Sequence, residues 1–277
     1  MQNEHKYKKN IHEDITAETV SSLVKTRPQN SHKGTFGSLQ LFCGSKYMTG
    51  AAILSAKAAL KSGVGLVYAS VKPYVRKIMQ TALFEPVYTN TNKQVTATAL
   101  LVGCGLGPDA KITKKCLQRN IPMVIDADGL NYLSNNIYLL ESSDNKNIIL
   151  TPHPGEMSKL CNTTIDNIEN NRIEYAVNFA DKYNVTVVLK GHNTIIASSS
   201  TSKVFINHTG NSGLAKGGSG DVLAGFMAGL LASGYSCIEA AILAVYAHGS
   251  AADILCEEKK EREILPSEII SVIGNVF

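Results

Sequence analysis

Six short apolar runs, separated by helical patterns, place the strongest constraint on the fold of this chain. Most of them lack the alternation of apolar and polar residues that a half-exposed strand shows, so we expect both faces of each strand to be covered. Segments such as "GAAILSAKAALKSG" and "IDNIENNRIEYAVNFADKYN" between them have the pattern of amphipathic or buried helices. Buried strands that alternate with helices predict an α/β fold with an open, mostly parallel sheet. The runs begin at Leu39, Gly65, Ala99, Pro122, Asn147 and Val185.

The order of these patterns predicts one domain. The first residues, "MQNEHKYKKNIHEDI", are polar and lack the apolar core of a signal peptide, so we expect a polar lead-in over residues 1–20 and a single domain over 21–277. The segment "NTIIASSSTSKVFINHTG" predicts a hairpin that interrupts the parallel pattern. The apolar run from Val222 has only thirteen residues, short of the roughly 20 that cross a bilayer, and it predicts a buried core helix. We therefore expect no membrane partner.

The net charge and the cysteines of the chain limit which partners and which cellular compartment we expect. A formal net charge of +4 over 277 residues is too mild to indicate a nucleic-acid partner. The six cysteines form neither a CxxC pair nor a cluster at zinc spacing, which is typical of a protein in a reducing cytoplasm.

Two glycine- and acid-rich clusters follow predicted strands, where parallel sheets bind ligands. The cluster "GCGLGPD" breaks the dinucleotide fingerprint because Pro108 stands where the third glycine belongs, so it either holds a flat ligand against its backbone or makes a tight turn. In "VIDADGLN", Asp126 and Asp128 could hold a metal ion or a hydroxyl group, with Asn131 one helical turn beyond. For Asp128 the favoured interpretation is a helix cap.

The segment "LTPHPGEMSKL" places His153 between two prolines. The prolines fix the backbone on both sides and aim the imidazole at the end of a strand, which favours a ligand-binding role. Glu156, three residues later, is either an acid in the first helical turn or a metal partner.

The segment "NSGLAKGGSGD" carries the clearest chemical signal. Its glycines can turn successive N–H groups toward one point at a helix N-terminus, where an anion such as phosphate binds. A carboxylate at that point, Asp221, is suited to take a proton from a substrate hydroxyl; the alternative is a helix cap. The dipeptide Gly-Lys occurs nowhere in the chain, which excludes a Walker-type phosphate loop.

The run Gly218-Ser219-Gly220-Asp221 resembles the late G-x-G-D loop of the ribokinase-like superfamily. From about Lys33 onward, six motifs in order resemble the NAD(P)H-hydrate dehydratase family: "GSLQLFCGSKYMTGAAILSAKAALKSGVGLVYAS", "VGCGLGPD", "VIDADGLN", "LTPHPGEMSKL", "VLKGHNTIIA" and "GNSGLAKGGSGDVLAGFMAGLLASG". The resemblance implies a three-layer α/β/α fold around a central, mostly parallel sheet.

The resemblance also implies an activity. Such enzymes dehydrate (6S)-NADHX and (6S)-NADPHX to NADH and NADPH while ADP, or ATP in some members, loses its terminal phosphoryl group. Asp221 then deprotonates the substrate hydroxyl, which accepts the phosphoryl group before phosphate leaves. The implied partners are these hydrates, the adenine nucleotide, Mg²⁺ and a separate NAD(P)HX epimerase, and the implied assembly is a homo-oligomer such as a homotetramer.

By the same resemblance, site residues fall into three groups. Glu156 corresponds to a magnesium-holding glutamate. The substrate-binding group is Ala52, Gly105, Asp126, Asn131 and His153. The nucleotide-binding group is Lys190, Gly191, His192, Asn193, Thr194, Gly218, Ser219 and Gly220.

The sequence departs from the family pattern at one position near the phosphate loop, and it is also compatible with two other functions. Lys216 stands where many relatives have threonine, and a lysine facing the phosphoryl group could alter the choice between ADP and ATP. The same G-x-G-D loop would serve a small-molecule kinase, for example for hydroxymethylpyrimidine or hydroxyethylthiazole. If Asp221 is only a cap, the chain is a non-catalytic nucleotide-binding module.

Overall fold

The computed structural model describes residues 11–277. Its strands are β1 Ile11–Asp14, β2 Ser38–Phe42, β3 Leu66–Ser70, β4 Val87–Thr89, β5 Ala99–Val102, β6 Met123–Ile125, β7 Ile148–Leu150, β8 Thr186–Leu189, β9 Thr194–Ser198 and β10 Lys203–Asn207. Its helices are α1 Ala17–Leu23, α2 Thr49–Lys61, α3 Pro73–Ala82, α4 Ile112–Leu117, α5 Asp128–Ser134, α6 Tyr138–Glu141, α7 Pro154–Leu160, α8 Ile165–Asn170, α9 Arg172–Tyr183, α10 Ser219–Ala232, α11 Cys237–Cys256 and α12 Pro266–Val272.

All ten strands of the described residues form one sheet in the order β1-β10-β9-β8-β7-β6-β5-β2-β3-β4. Only β9 runs antiparallel to its two neighbours, β8 and β10, and every other pairing is parallel. The predicted α/β class with a mostly parallel sheet is confirmed. The predicted hairpin is also present, as β9 and β10.

Helices cover the sheet on both faces, which gives the three-layer arrangement. In β5, Leu101 belongs to a core cluster with residues of α2, α10 and α11, whereas Leu100 and Val102 belong to a second cluster with residues of α5, α7 and α9. All three side chains are fully buried. The strand therefore has two apolar faces, which is why its sequence does not alternate.

The N-terminal segment differs from the expected lead-in where the structure describes it. Strand β1 pairs in parallel with β10 and extends the sheet at its edge, and helix α1 follows. An edge strand with largely exposed side chains needs no apolar run, so its sequence gave no signal. Residues 1–10 lie outside the described part, and the division of the chain into a lead-in and one domain stays a prediction.

Helix α11 is the one described helix that is long and apolar enough to cross a membrane by length and composition, with a mean hydropathy of 1.3. Glu239, His248 and Asp253 interrupt its apolar residues. Within its apolar window, 61% of the helix is buried inside the protein, as in the core helices of soluble proteins. The helix is therefore weak support for a membrane location.

Helices α2 and α10 approach each other closely at Gly225. A Cβ atom added at Gly225 of α10 would lie 2.2 Å from the carbonyl oxygen of Ser55 on α2. The small residue at this position therefore lets the two helices approach closely. This contact matters for the site because Asp221 lies one turn before Gly225 on the same helix.

We expect Gly225→Ala to lower the free energy of unfolding by about 1–3 kcal/mol, because the added methyl group meets backbone that cannot rotate away. The matched control is Gly50→Ala on α2, where a Cβ atom meets no atom within 4 Å. This control should be neutral or stabilising by up to about 1 kcal/mol, since alanine favours helix. Urea denaturation measures both; equal stabilities of the two variants would contradict the prediction.

Candidate active site

The functional side chains lie at the carboxyl ends of three neighbouring strands. Asp126 follows β6, His153 follows β7 and Lys190 follows β8. The N-terminus of α10 faces them across a cavity of about 1090 Å³, which all three residues line together with Asp221. The cavity is large enough for a nucleotide-sized ligand.

A buried ion pair forms the wall of this cavity. The Lys190 Nζ atom lies 2.7 Å from Asp126 Oδ1, and the Thr151 hydroxyl donates to the same oxygen at 2.8 Å. Glu156 Oε2 lies 3.9 Å from Nζ. Burial alone would lower the pKa of Lys190, but the carboxylates of Asp126 and Glu156 outweigh it and hold that pKa above its usual value. The lysine is therefore charged.

Asp221 has the properties of a general base. Burial is the main cause that raises its pKa to about 6, and the charges of Asp126 and Asp128 raise it further, while Cys104 and Lys190 act in the opposite direction. A carboxyl group with a pKa near neutrality can accept a proton at physiological pH and release it again.

The turn that precedes Asp221 has the geometry of an anion-binding site. Gly218 has φ +97°, a left-handed conformation that glycine adopts without strain, and α10 begins at Ser219. A Cβ atom at Gly220 would lie 3.4 Å from Lys190 Nζ, so the first helical turn packs over the ammonium group. An anion at this point meets both N–H donors and a positive charge.

A second histidine supports this turn from α11. His248 Nε2 lies 3.3 Å from the Ser219 hydroxyl. Burial lowers the pKa of His248 to about 4, assisted by the charge of Lys190 and opposed by a hydrogen bond with the Ser219 backbone. The imidazole is neutral at physiological pH and can share a hydrogen bond with Ser219.

The segment 190–194 is held in place by Arg172 at the start of α9. The guanidinium group donates to the carbonyl oxygens of His192 at 2.9 Å, Leu189 at 3.2 Å and Lys190 at 3.3 Å. Gly191 has φ +139°, and a Cβ atom there would come within 2.9 Å of the guanidinium group. Glycine at this position therefore makes room for Arg172.

His153 has a structural contact besides its place on the cavity wall. Its Nδ1 atom accepts hydrogen bonds from the N–H groups of Gly155 at 3.1 Å and Glu156 at 3.4 Å, which caps α7. In return, Glu156 Oε2 accepts from the His153 N–H at 2.9 Å. Burial raises the pKa of Glu156, with Lys190 opposing it. The imidazole Nε2 atom lies 3.5 Å from Glu156 Oε1, so both ring nitrogens have a contact at the start of α7.

The structure brings most of the predicted site residues to one cavity. Ala52, Gly105 and Asn131 lie outside its walls: Ala52 is fully buried, Gly105 packs against α2, and Asn131 accepts a hydrogen bond from Lys159. Their roles stay predictions. The cavity walls include the predicted residues Asp126, His153, Glu156, Lys190, Gly191, His192, Asn193, Thr194, Gly218, Ser219, Gly220 and Asp221.

The structure contradicts one expectation for a single residue and adds a contact to another. Asp128 does not cap its helix; its Oδ2 atom accepts from the Gly107 N–H at 2.7 Å, because the loop after β5 lies within reach. Lys216 donates to the carbonyl oxygens of Arg262 and Ile264, each at 2.5 Å, so its ammonium group is held by the C-terminal segment. Lys216 also lines the cavity, and its effect on the choice between ADP and ATP stays a prediction.

The carboxylates in and near the cavity differ in how well they are suited to bind Mg²⁺. Ligand atoms of Cys104, Asp126 and Asp221 lie within 4.8 Å of one another. This set fits magnesium poorly, because Mg²⁺ prefers oxygen ligands and Asp126 already pairs with an ammonium group. Glu156 lines the cavity and could take part in a site in which phosphates and water supply most ligands.

Comparison with known proteins gives one consistent family. A family model described as NAD(P)H-hydrate dehydratase matches residues 39–275. An ADP-dependent (S)-NAD(P)H-hydrate dehydratase of Neisseria meningitidis is 38% identical over 252 residues, which are 87% of this chain and 85% of that protein. A bifunctional NAD(P)H-hydrate repair enzyme of Moorella thermoacetica is 35% identical, and the match covers 95% of this chain but 53% of that protein.

A solved structure agrees with the sequence matches. The ADP/ATP-dependent NAD(P)H-hydrate dehydratase of Bacillus subtilis, co-crystallised with ATP/Mg²⁺, superposes with a TM-score of 0.85 at 30% identity. The match covers 96% of this chain and 98% of that one. A ribokinase-like superfamily protein of Enterococcus faecalis gives a TM-score of 0.86 at 27% identity, which confirms the ribokinase-like fold.

We expect Arg172→Lys to lower the free energy of unfolding by about 1–3 kcal/mol, because a single ammonium group cannot reach all three carbonyl oxygens of the 189–192 segment. It should also weaken ADP binding in calorimetry, since this segment lines the cavity. The control is Arg262→Lys at an exposed position, which should change neither quantity. Wild-type stability and ADP affinity in Arg172→Lys would contradict the positioning role.

Proposed function

The chain belongs to the NAD(P)H-hydrate dehydratase family, and from this premise we propose that it repairs hydrated nicotinamide cofactors. It dehydrates (6S)-NADHX and (6S)-NADPHX to NADH and NADPH, and ADP is converted to AMP and phosphate; it is thus a carbon–oxygen lyase. One observation carries the proposal: a carboxyl group with a pKa of about 6 stands at a glycine-rich helix N-terminus beside a buried ammonium group in a nucleotide-sized cavity.

The proposed mechanism follows from the position of Asp221. Its carboxylate takes the proton of the hydroxyl group at C6 of the hydrate, and that oxygen attacks the terminal phosphorus of ADP. The bond from this phosphorus to the bridging oxygen breaks, and AMP leaves with the bonding electrons. The N–H groups of Gly218 and Gly220 and the ammonium group of Lys190 stabilise the transferring phosphoryl group. Phosphate then leaves C6 with the bonding electrons, and the adjacent ring carbon loses a proton. Hydroxide is a poor leaving group, and this sequence replaces it with a good one.

We propose that the adenine nucleotide is bound by two segments of the cavity wall. One is the loop 190–194, which Arg172 positions, and the other is the turn 218–220. Bound Mg²⁺ would neutralise phosphate charge, and Glu156 is its proposed protein ligand. The B. subtilis relative is described as ADP/ATP-dependent and was crystallised with ATP/Mg²⁺, which supports an adenine nucleotide with magnesium here. The proposal takes ADP as the donor, with ATP as a possible second one.

Some residues of the proposed hydrate site are supported by their position in the structure, and others by the family resemblance alone. His153 and Asp126 line the cavity, and the exposed imidazole of His153 is within reach of a hydrate bound there. The assignments of Ala52, Gly105 and Asn131 rest on the family resemblance. We further propose a cytoplasmic homo-oligomer, such as a homotetramer, that acts with an NAD(P)HX epimerase; the bifunctional relatives support a second repair activity as partner.

The direct test incubates the purified protein and Mg²⁺ with (6S)-NADHX and with ADP, ATP or no nucleotide. Recovery of the dihydronicotinamide absorbance only with nucleotide supports the dehydratase and identifies its donor. A stable phosphorylated product from another alcohol, without recovery, would instead establish the small-molecule kinase. Nucleotide binding without any turnover would indicate a non-catalytic module.

We expect Asp221→Asn to lower kcat by roughly 10²- to 10⁴-fold, because the amide cannot accept the substrate proton. The affinity for ADP, measured by calorimetry, should stay within about twofold, since the N–H groups and Lys190 remain. Asp109→Asn, which removes a partly exposed carboxylate paired with Lys72, is the control and should leave kcat unchanged. Wild-type turnover in Asp221→Asn would exclude Asp221 as the base.

The raised pKa of Asp221 predicts a pH dependence of activity. The base works only when deprotonated, so kcat/KM should be constant above about pH 7 and fall about tenfold per pH unit below pH 6. A pH–rate profile of the free enzyme, with folding monitored by circular dichroism at each pH, measures this limb. A profile that stays flat to pH 5 would contradict the assignment.

A further inference from the structure

Cys104 stands between the two carboxyl groups of the site and has no role in the mechanism above. It lies in the loop after β5 and is fully buried. Its thiol donates to Asp126 Oδ2 with a sulfur-to-oxygen distance of 3.8 Å. Its sulfur and one carboxylate oxygen each of Asp126 and Asp221 all lie within 4.8 Å of one another.

The backbone around Cys104 fixes this position. Gly103 has φ +129° and Gly105 has φ +62°, so the residue is mounted between two left-handed turns. A Cβ atom at Gly103 would lie 1.8 Å from the carbonyl oxygen of Asp126. The loop therefore packs directly on the backbone of Asp126, and the thiol has little freedom to leave the two carboxyl groups.

The groups around Asp221 leave one side of Asp126 without a cation. Lys190 and Thr151 both bind Oδ1 of Asp126. Oδ2, the oxygen toward Cys104, has the thiol as its donor. Two carboxylates at this separation oppose each other's ionisation, and a neutral donor between them reduces that repulsion. The groups that act on Asp221 are Asp126, Cys104, Lys190 and Asp128.

The thiol is suited to this position because it keeps its proton. A hydrogen bond with Cys43, burial and the neighbouring carboxylates all raise the pKa of Cys104 well above its usual value. It is therefore a neutral donor and adds no third negative charge.

We propose that Cys104 is a positioning residue for Asp221, whose protonated thiol separates this carboxylate from Asp126 and favours its charged form. The inference rests on the proposed function insofar as Asp221 is the base. It predicts that removal of the thiol makes Asp221 harder to ionise, so both its titration and the acid limb of activity move to higher pH.

The test measures Asp221 directly, without substrate. Protein with ¹³C-labelled aspartate carboxyl groups is titrated by NMR, and Asp221→Asn identifies the resonance. In Cys104→Ala the midpoint should rise by about half a pH unit or more, since the interaction of the thiol with the nearby Asp221 carboxylate is lost. Cys104→Ser, with a shorter donor, should lie between the alanine variant and the wild type. If the alanine variant does not fold, Cys104→Val, which has no donor, takes its place.

The control is Cys116→Ala, which removes another buried thiol, on α4, outside the cavity walls. It should lower Tm without moving the Asp221 midpoint. An unchanged midpoint in both alanine variants would overturn the proposal and leave Cys104 as core packing. The acid limb of kcat/KM gives the second readout. If the wild type fails to repair (6S)-NADHX, the proposed function fails, and the NMR titration still decides the role of Cys104.

Discussion

The ion pair of Lys190 and Asp126 is the interaction on which the rest of the site depends. Without its ammonium group, the carboxyl groups of Asp126, Glu156 and Asp221 would share one buried region with no cation among them. Removal of one partner of such a pair typically costs about 3–5 kcal/mol, because the other charge stays buried. The pair also acts on the pKa of Asp221, the proposed base, so the stability of this part of the site and the ionisation of that carboxyl group are linked.

Much of the fold and the location of the candidate site could be predicted from the sequence, because these signals are local. Buried strands show themselves as apolar runs, and the G-x-G-D turn and the segment 190–194 each lie within a few consecutive residues. Such motifs need only one further rule, that ligands bind at the carboxyl ends of parallel strands. The rule anticipates that Asp126 and His153 lie close together, and both line the same cavity, whereas Lys190 was assigned from the family resemblance.

The contacts that the sequence did not reveal join residues far apart in the chain. Lys190 and Asp126 are 64 residues apart and meet only because β7 alone separates β8 from β6 in the sheet. Arg172 carries no local signal, since its partners are backbone carbonyl oxygens. Asp128 has the sequence of a helix cap, yet a neighbouring loop offers its carboxylate a closer donor. Which residues meet in such contacts depends on the order of the strands in the sheet, and this order could not be inferred from the single sequence.

The close approach of α2 and α10 has a consequence for how this site can vary. The atom that excludes a side chain at Gly225 is the carbonyl oxygen of residue 55, which every amino acid carries. No substitution at position 55 can therefore make room for a side chain at position 225. A larger residue on one helix cannot be compensated by a smaller residue on the other. Ala51 of α2 contacts the loop of Gly105, and α10 carries Asp221. The distance between this loop and Asp221 is therefore fixed by the packing of the two helices, and it should stay the same when surrounding residues change.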